Sequence, residues 1–251
     1  MPRLRRILTR LAIAIGVIAL YTWFFGVQTA IVLEERYFGR RDPAMWQVPA
    51  ELTDTSVSNS PGIKLSYLNC EFEVPWNDLD EQKTSRVGGW QTIGFRSGKV
   101  IALQTFPGKE RVTFYPAGKN PDAETLRKLT IFYGDETLRS DYAFTRAILE
   151  MTPGKTSIFT PRREAVRDMM MLLWKPIITE DRDSGIYLIQ TKDFQGFQYG
   201  NPQSRPVEVV DELFSDDVRV EFTFPCRRED SGVGISQSDI NRVIQSVRIV
   251  H

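Results

Sequence analysis

Leu11–Leu33, LAIAIGVIALYTWFFGVQTAIVL, carries no charge, and only Thr22, Gln28 and Thr29 interrupt its apolar character. As a helix at about 1.5 Å per residue it reaches roughly 34 Å, enough to cross a hydrocarbon core about 30 Å thick with some tilt. It is apolar on every side, so it has no polar face for water. Arg3, Arg5, Arg6 and Arg10 stand in front with no acid among them, and Glu34 and Glu35 stand behind. That basic bias retains the leading segment in the cytoplasm and places the rest outside. The alternatives are a buried helix of a soluble protein, which such a run suits poorly, and a secretory signal, which shares the basic and apolar regions. The signal reading lacks a good cleavage site. Ala30 is the best-placed small residue, but Gln28 two positions before it is too large, and Ala12 and Ala14 come too early. No cysteine close behind the run can accept a lipid; Cys70 is far away. An uncleaved single-pass anchor is expected.

The 251 residues include 32 basic and 32 acidic ones. The first 33 residues hold four of the basic and none of the acidic, so the remainder carries 28 minus 32, a net charge of −4. Mild acidity disfavours a nucleic-acid partner, which takes a basic face. A hydrophobic content of 41% argues for a packed globule rather than disorder. The expected organisation is a basic cytoplasmic segment over 1–10, the span over 11–33, a juxtamembrane linker over 34–60 and one extracytoplasmic domain over 61–251, periplasmic if the cell is bacterial.

In the linker, Arg36, Arg40 and Arg41 alternate with Tyr37, Phe38 and Trp46. This mix suits a membrane interface, and it equally suits aromatics that cover the first strand. Thr53–Gly62 is polar and turn-forming and marks a boundary. Ile63–Val74 is expected to be one strand with Leu68, Cys70, Phe72 and Val74 on one face, ended by Pro75. A polar, charged loop follows. Gly89–Phe95 and Lys99–Phe106 then read as a hairpin turned at Gly98, and Arg111–Tyr115 can extend the sheet. Three helices are expected: Asn120-capped with Pro121 first, to about Tyr133; about Glu136 to Met151; and Thr160-capped, ending before Pro176. Strands return at Ile186–Thr191, Gly196–Gly200, Val207–Phe214 and Val218–Phe224. In the last, Val218, Val220, Phe222 and Phe224 face one way, with Arg219, Glu221 and Thr223 on the wet side. Ser236 with Asp239 forms a capping box for a short helix to about Gln245, before a final strand at Val247–Val250. Strands, then helices, then strands predict an α+β domain on an antiparallel sheet.

Phe72-Glu73-Val74-Pro75-Trp76, a strand ending in an apolar-Pro-Trp turn, and the closing helix and strand over Asp239–Ile249 give a layout that resembles the PsbP-like family of α/β/α sandwich domains. The resemblance covers roughly Gly62–Val250. It departs in the apolar span and in three central helices. It implies an accessory or assembly role without enzymatic activity.

Catalytic and metal motifs are incomplete. The one histidine is His251, which disfavours imidazole chemistry and zinc ligation. Gly154-Lys155-Thr156 imitates the end of a P-loop, but Leu149 occupies the position of its first glycine. Asp181, Asp183 and Gly185 form a fragment of a calcium loop that has Lys192 where the bidentate glutamate belongs. Glu71 and Glu73 share a strand face, as acid-base partners or a solvated face would. No catalytic residue, cofactor site or metal ligand is assigned. The two cysteines, Cys70 and Cys226, are expected to form a disulfide if their strands are neighbours, since oxidation persists outside the cytoplasm. The expected partners are the membrane and another protein. A membrane-anchored hydrolase or lyase working through carboxylates is the alternative, to be marked by a deep pocket holding acids of perturbed ionisation.

Overall fold

A computed structural model describes the backbone of residues 2–107, 122–179, 185–202, 208–216, 218–226 and 234–250, with side chains from residue 13 on except at 107. It has an apolar N-terminal helix followed by sheets and helices, the α+β class expected. The chain divides into two compact units, Met1–Trp46 with Met151–Ile178, and Gln47–Glu150 with Thr179–His251.

The first unit is built on helix α1 (Pro2–Arg41). From Ile13 it is one helix long and apolar enough to cross a membrane, and 11% of its most apolar window is buried. That low burial is the opposite of a soluble protein's core helix. Residues 13–24 are exposed without interruption, and burial begins around Phe25. The helix continues past Leu33 because no strong breaker follows until Asp42 and Pro43, where Asp42 Oδ1 accepts from Ala44 N at 2.9 Å and a short 3₁₀ turn (Pro43–Trp46) begins. Arg40 and Arg41 complement the negative end of the helix dipole. Ile31, with Val27 and Phe38 beside it, packs on Ala165, Met169 and Val166 of helix α4 (Arg162–Thr179). The expected stop at Pro176 is not observed: proline forfeits one backbone bond, and α4 continues to Thr179. Just before it, the Lys175 ammonium is fixed by the carbonyls of Met45 (3.1 Å) and Met151 (2.6 Å).

The second unit holds two sheets. The larger runs in the order β1 (Ala50–Glu51), β7 (Ile186–Gln190), β8 (Gln195–Tyr199), β9 (Glu208–Phe214), β10 (Val218–Pro225), β6 (Val100–Pro107), β5 (Trp90–Phe95), β4 (Leu79–Val87). All its pairs are antiparallel except β1 with β7, so the sheet is mixed. The smaller sheet is β11 (Arg248–Ile249), β3 (Cys70–Val74), β2 (Ile63–Tyr67). One core joins both sheets to helix α5 (Gln237–Ser246), with Phe72 and Val74 from the small sheet, Ile93, Leu103, Val220, Phe222 and Phe224 from the large one, and Ile240, Val243 and Ile244 from α5. Phe72 meets Phe222 edge-on, centroids 5.3 Å apart. The expected alternation in β10 holds on this face: Val220, Phe222 and Phe224 are buried. Its other face is half-buried rather than wet.

Several expectations are corrected. Ile63–Val74 is two strands, because Leu68 (φ 52°) and Asn69 (φ 61°) both take the left-handed region and make a two-residue turn of the primed type. Asparagine suits that conformation, but leucine gives no sign of it. The polar stretch after Pro75 contains strand β4, an exposed sheet edge. Its charges and the register shift between Asp80 and Ser85 guard that edge against pairing with another chain. Helix α2 (Ala123–Tyr133) is capped by Asp122, whose carboxylate accepts from Thr125 N at 2.7 Å, not by Asn120. Helix α3 (Asp141–Leu149) starts later than Glu136, at the cap Ser140, after a turn that follows Gly134 in the left-handed region. Helix α4 is not capped by Thr160, whose hydroxyl accepts from Ser157 N; Pro161 O accepts from Ala165 N. The α5 capping box is formed as expected. The Arg111–Tyr115 strand, Asn120 and Pro121, Asp181 and Asp183, His251 and the side chains of Arg3, Arg5, Arg6 and Arg10 lie outside the described residues.

The expected Cys70–Cys226 bridge is absent: both are free thiols. Its premise was neighbouring strands, but Cys70 opens β3 of the small sheet, while Cys226 follows β10, which lies between β9 and β6 of the large one. Burial pushes the Cys70 thiol up to about 11 and the Cys226 thiol up to about 12. Cys226 Sγ donates to Phe224 O at 3.2 Å. Both pack as small apolar groups in or against the core.

Candidate functional site

The N-terminal end of β8 and the turns β7–β8 and β9–β10 sit in a part of the second unit whose sequence is dense in turn formers. At the β7–β8 turn, Thr191 N donates to Phe194 O (2.9 Å) and Phe194 N to Thr191 Oγ1 (3.0 Å), leaving Lys192 and Asp193 at the tip. At the β9–β10 turn, Ser215 N donates to Val218 O (2.9 Å) and Val218 N to Ser215 Oγ (3.2 Å), which holds Asp216 outward. With the start of α3 these turns enclose a cavity of about 620 Å³, the size of a small-molecule or short-peptide site.

Its walls combine an aromatic floor with charges of both signs. Tyr142 stacks on Phe197 (5.1 Å between centroids, 17° between planes) and leans on Phe214. Arg219 lays its guanidinium over Phe106, 4.1 Å from the ring centroid, and reaches Glu212 Oε1 at 3.4 Å. Glu212 Oε2 in turn accepts from Tyr199 OH at 3.1 Å. Arg219 Nε is buried without a hydrogen-bond partner, so this arginine retains unused donor capacity at the wall. Arg139 and Lys192 are matched by Asp141, Asp193 and Asp216 around the same space. This balance suits a polar or zwitterionic segment, such as a peptide loop, more than a polyanion. The hydroxyls here are engaged in folding: Ser140 accepts from Ala143 N at 3.1 Å to cap α3, and Ser215 closes its turn.

A second cavity, about 520 Å³, lies where α5 meets β3 and contains both Glu71 and Glu73. Glu73 lies between two cations, Lys64 at 3.7 Å and Arg242 at 3.5 Å. The pair is thus one exposed acid and one ion-paired acid. Sequence reading missed what α5 does beside them. Buried Gln237 exchanges side-chain amide bonds with Gln198 (2.8 and 2.9 Å) and donates to Asn241 Oδ1 (2.9 Å). Asn241 donates to the carbonyls of Asp54 and Ser56 at 2.8 Å each, and Arg242 to those of Ser58 (2.7 Å) and Ser60 (2.6 Å). The turn-rich Thr53–Gly62 stretch is therefore strapped to the helix. The polar residues of α5 at helical spacing were the available signal.

Asp211 is buried completely, and neither carboxyl oxygen has a hydrogen-bond partner. Loss of hydration raises its ionisation well above the ordinary carboxylate range and so favours the neutral acid. It lines neither cavity.

In the first unit the Gly154-Lys155-Thr156 loop has no cradle geometry. Gly154 N (3.1 Å) and the Thr156 hydroxyl both donate to Glu35 of α1, which is buried. Burial, with Lys155 nearby, lowers Lys175 to about 8. Among the described residues no three His, Cys, Asp or Glu side chains converge as a metal site would require. No protein family, no curated protein and no solved structure matches the chain, so geometry alone carries the functional reading.

Proposed function

We propose that the chain is a single-pass membrane protein, its leading segment cytoplasmic, whose extracytoplasmic α+β unit binds a segment of another protein in the cavity between α3 and the β7–β8 and β9–β10 turns. The observation that carries the anchor is the exposed apolar surface of α1, Ile13 to Phe24, on a helix long enough to span. The binding role is supported by the aromatic floor under Tyr142 and by Arg219, features that concentrate binding energy at interfaces. The carboxyl with the strongly raised ionisation, Asp211, is sealed off from both cavities, which favours binding over hydrolysis. The resemblance to PsbP-like accessory domains belongs to the same proposal.

A photo-crosslinking residue placed at Lys192 tests it in native membranes. The expected result is a discrete protein adduct, absent when the probe replaces Val87 at the exposed β4–β5 tip. Arg219→Ala should reduce that adduct about 10-fold, the effect of losing about 1.4 kcal/mol. Lack of an adduct at Lys192, or hydrolytic turnover abolished by substituting Asp141, Asp193 or Asp216, would contradict the proposal.

A further inference from the structure

The loop before α4 runs back along α1 toward its exposed apolar half. Pro153 lies against Gly39, where an added Cβ would come within 2.7 Å of the proline ring. Next, Gly154 and Thr156 donate to Glu35, four residues earlier on α1. Phe159 then meets Phe25, another ten residues earlier, with ring centroids 6.3 Å apart and planes at 80°. From there the chain climbs again: Ala165 and Met169 pack beside Ile31, and Lys175 reaches Met45 O. The turn 157–160 is thus the part of this loop nearest Ile13–Phe24.

The turn is braced. Ser157 N donates to Thr160 Oγ1 (2.9 Å), Thr160 N to Ser157 O (3.1 Å) and Phe159 N to Ser157 Oγ (3.2 Å). At its tip Phe159 is 79% exposed, and Arg162 and Arg163, both exposed, begin the helix just after it. Helix arithmetic sets the depth. Starting at Leu11, a hydrocarbon core of about 30 Å extends about 20 residues, to the neighbourhood of Ala30. Phe25 lies short of that boundary, and Phe159 is packed on Phe25.

We infer that the turn 157–160 enters the outer leaflet of the bilayer, with Phe159 among the acyl chains near the headgroups and Arg162 and Arg163 on lipid phosphates. The inference rests on the proposed reading of α1 as a span. An aromatic tip followed by arginines is the chemistry of a membrane interface, apolar below and phosphate-rich above. The partner is the lipid surface itself, so part of the first unit is bedded in the membrane rather than held above it.

The full chain, reconstituted in phosphatidylcholine and phosphatidylglycerol vesicles, decides this with an environment-sensitive thiol probe at Phe159→Cys, Ile18→Cys or Ile177→Cys. Unsubstituted protein labelled in parallel gives the background from Cys70 and Cys226. Lipids carrying a doxyl quencher near the glycerol end of the chain should remove most of the emission from the probe at position 159. The probe at 177, exposed near the other end of α4, should keep its emission. Quenching at 18, which lies near mid-bilayer if the core starts at Leu11, by lipids that carry the doxyl group near the methyl end of the chain reports the span independently. If 18 is quenched and 159 behaves like 177, the inference is overturned and the anchor stands; if neither 18 nor 159 is quenched, both are overturned.

Discussion

Gly196→Ala is expected to cost the second unit about 3 kcal/mol, the upper range for forcing a methyl group into a packed site. Gly196 pairs with Leu213 across β8 and β9, and a Cβ there would lie 2.1 Å from the Glu212 carbonyl oxygen and 3.1 Å from Leu213 Cδ2. An oxygen-to-carbon contact needs about 3.3 Å, so the strands must part. The obstacle is backbone, which cannot swing away as a side chain can. Its neighbour Phe197 stacks on Tyr142, which lines the cavity, so the damage should reach the proposed binding site as well. In thermal unfolding of the detergent-solubilised chain, the loss corresponds to a fall in Tm of about 6–12 °C. Gly16→Ala is the control: an added Cβ meets nothing within 4 Å. An unchanged melting temperature for Gly196→Ala would mean that β8 and β9 do not pair in the register described.

Asp211→Asn is expected to remove a pH-dependent weakness. In the folded protein dehydration holds the acid neutral far above its ordinary range, while in the unfolded chain it ionises normally. Below the unfolded-state pKa the two states bind the proton equally, so nothing is lost. As pH rises above it, the unfolded state releases its proton and the folded state does not, and stability falls until the folded-state pKa is reached. The slope is about 1.4 kcal/mol per pH unit in that window. Asparagine is nearly isosteric and does not titrate, so the stability difference between variant and parent should grow in the variant's favour with that slope above about pH 4. Parallel stability curves for the two proteins would show that Asp211 is solvated or paired.

The long apolar helix, the α+β class and the strands of the C-terminal third were legible because their signals are local: a long uncharged run, and alternation of the kind carried by Val220, Phe222 and Phe224. The α5 capping box was legible for the same reason, since Ser236 and Asp239 are three residues apart. The turn at Leu68 and Asn69 was hidden, because it falls inside an alternating pattern and one of its residues is apolar. Strand β4 was hidden because an exposed, guarded edge has no apolar face to display. The candidate cavity could not be seen at all in sequence. Its walls come from α3, β8, the β7–β8 turn and the β9–β10 turn, brought together only by the strand order. Asp211 likewise reads as one of many surface acids until β9 is found to be central, with neighbours on both sides. The disulfide was misjudged for a related reason: two strand-end cysteines say nothing about which sheet each strand joins.

Protease added to intact spheroplasts, followed by mass measurement of the membrane-embedded remnant, is the most direct test of the proposed anchored, outward-facing arrangement. Arg3, Arg5, Arg6 and Arg10 lead the apolar run while Arg36, Arg40 and Arg41 follow it, so the proposed orientation rests on a narrow basic margin. The predicted result is digestion of the second unit, with a protected fragment that still contains Met1 and the apolar run. A second unit that stays intact until the membrane is opened, or a mature chain that begins beyond Ala30, would contradict it.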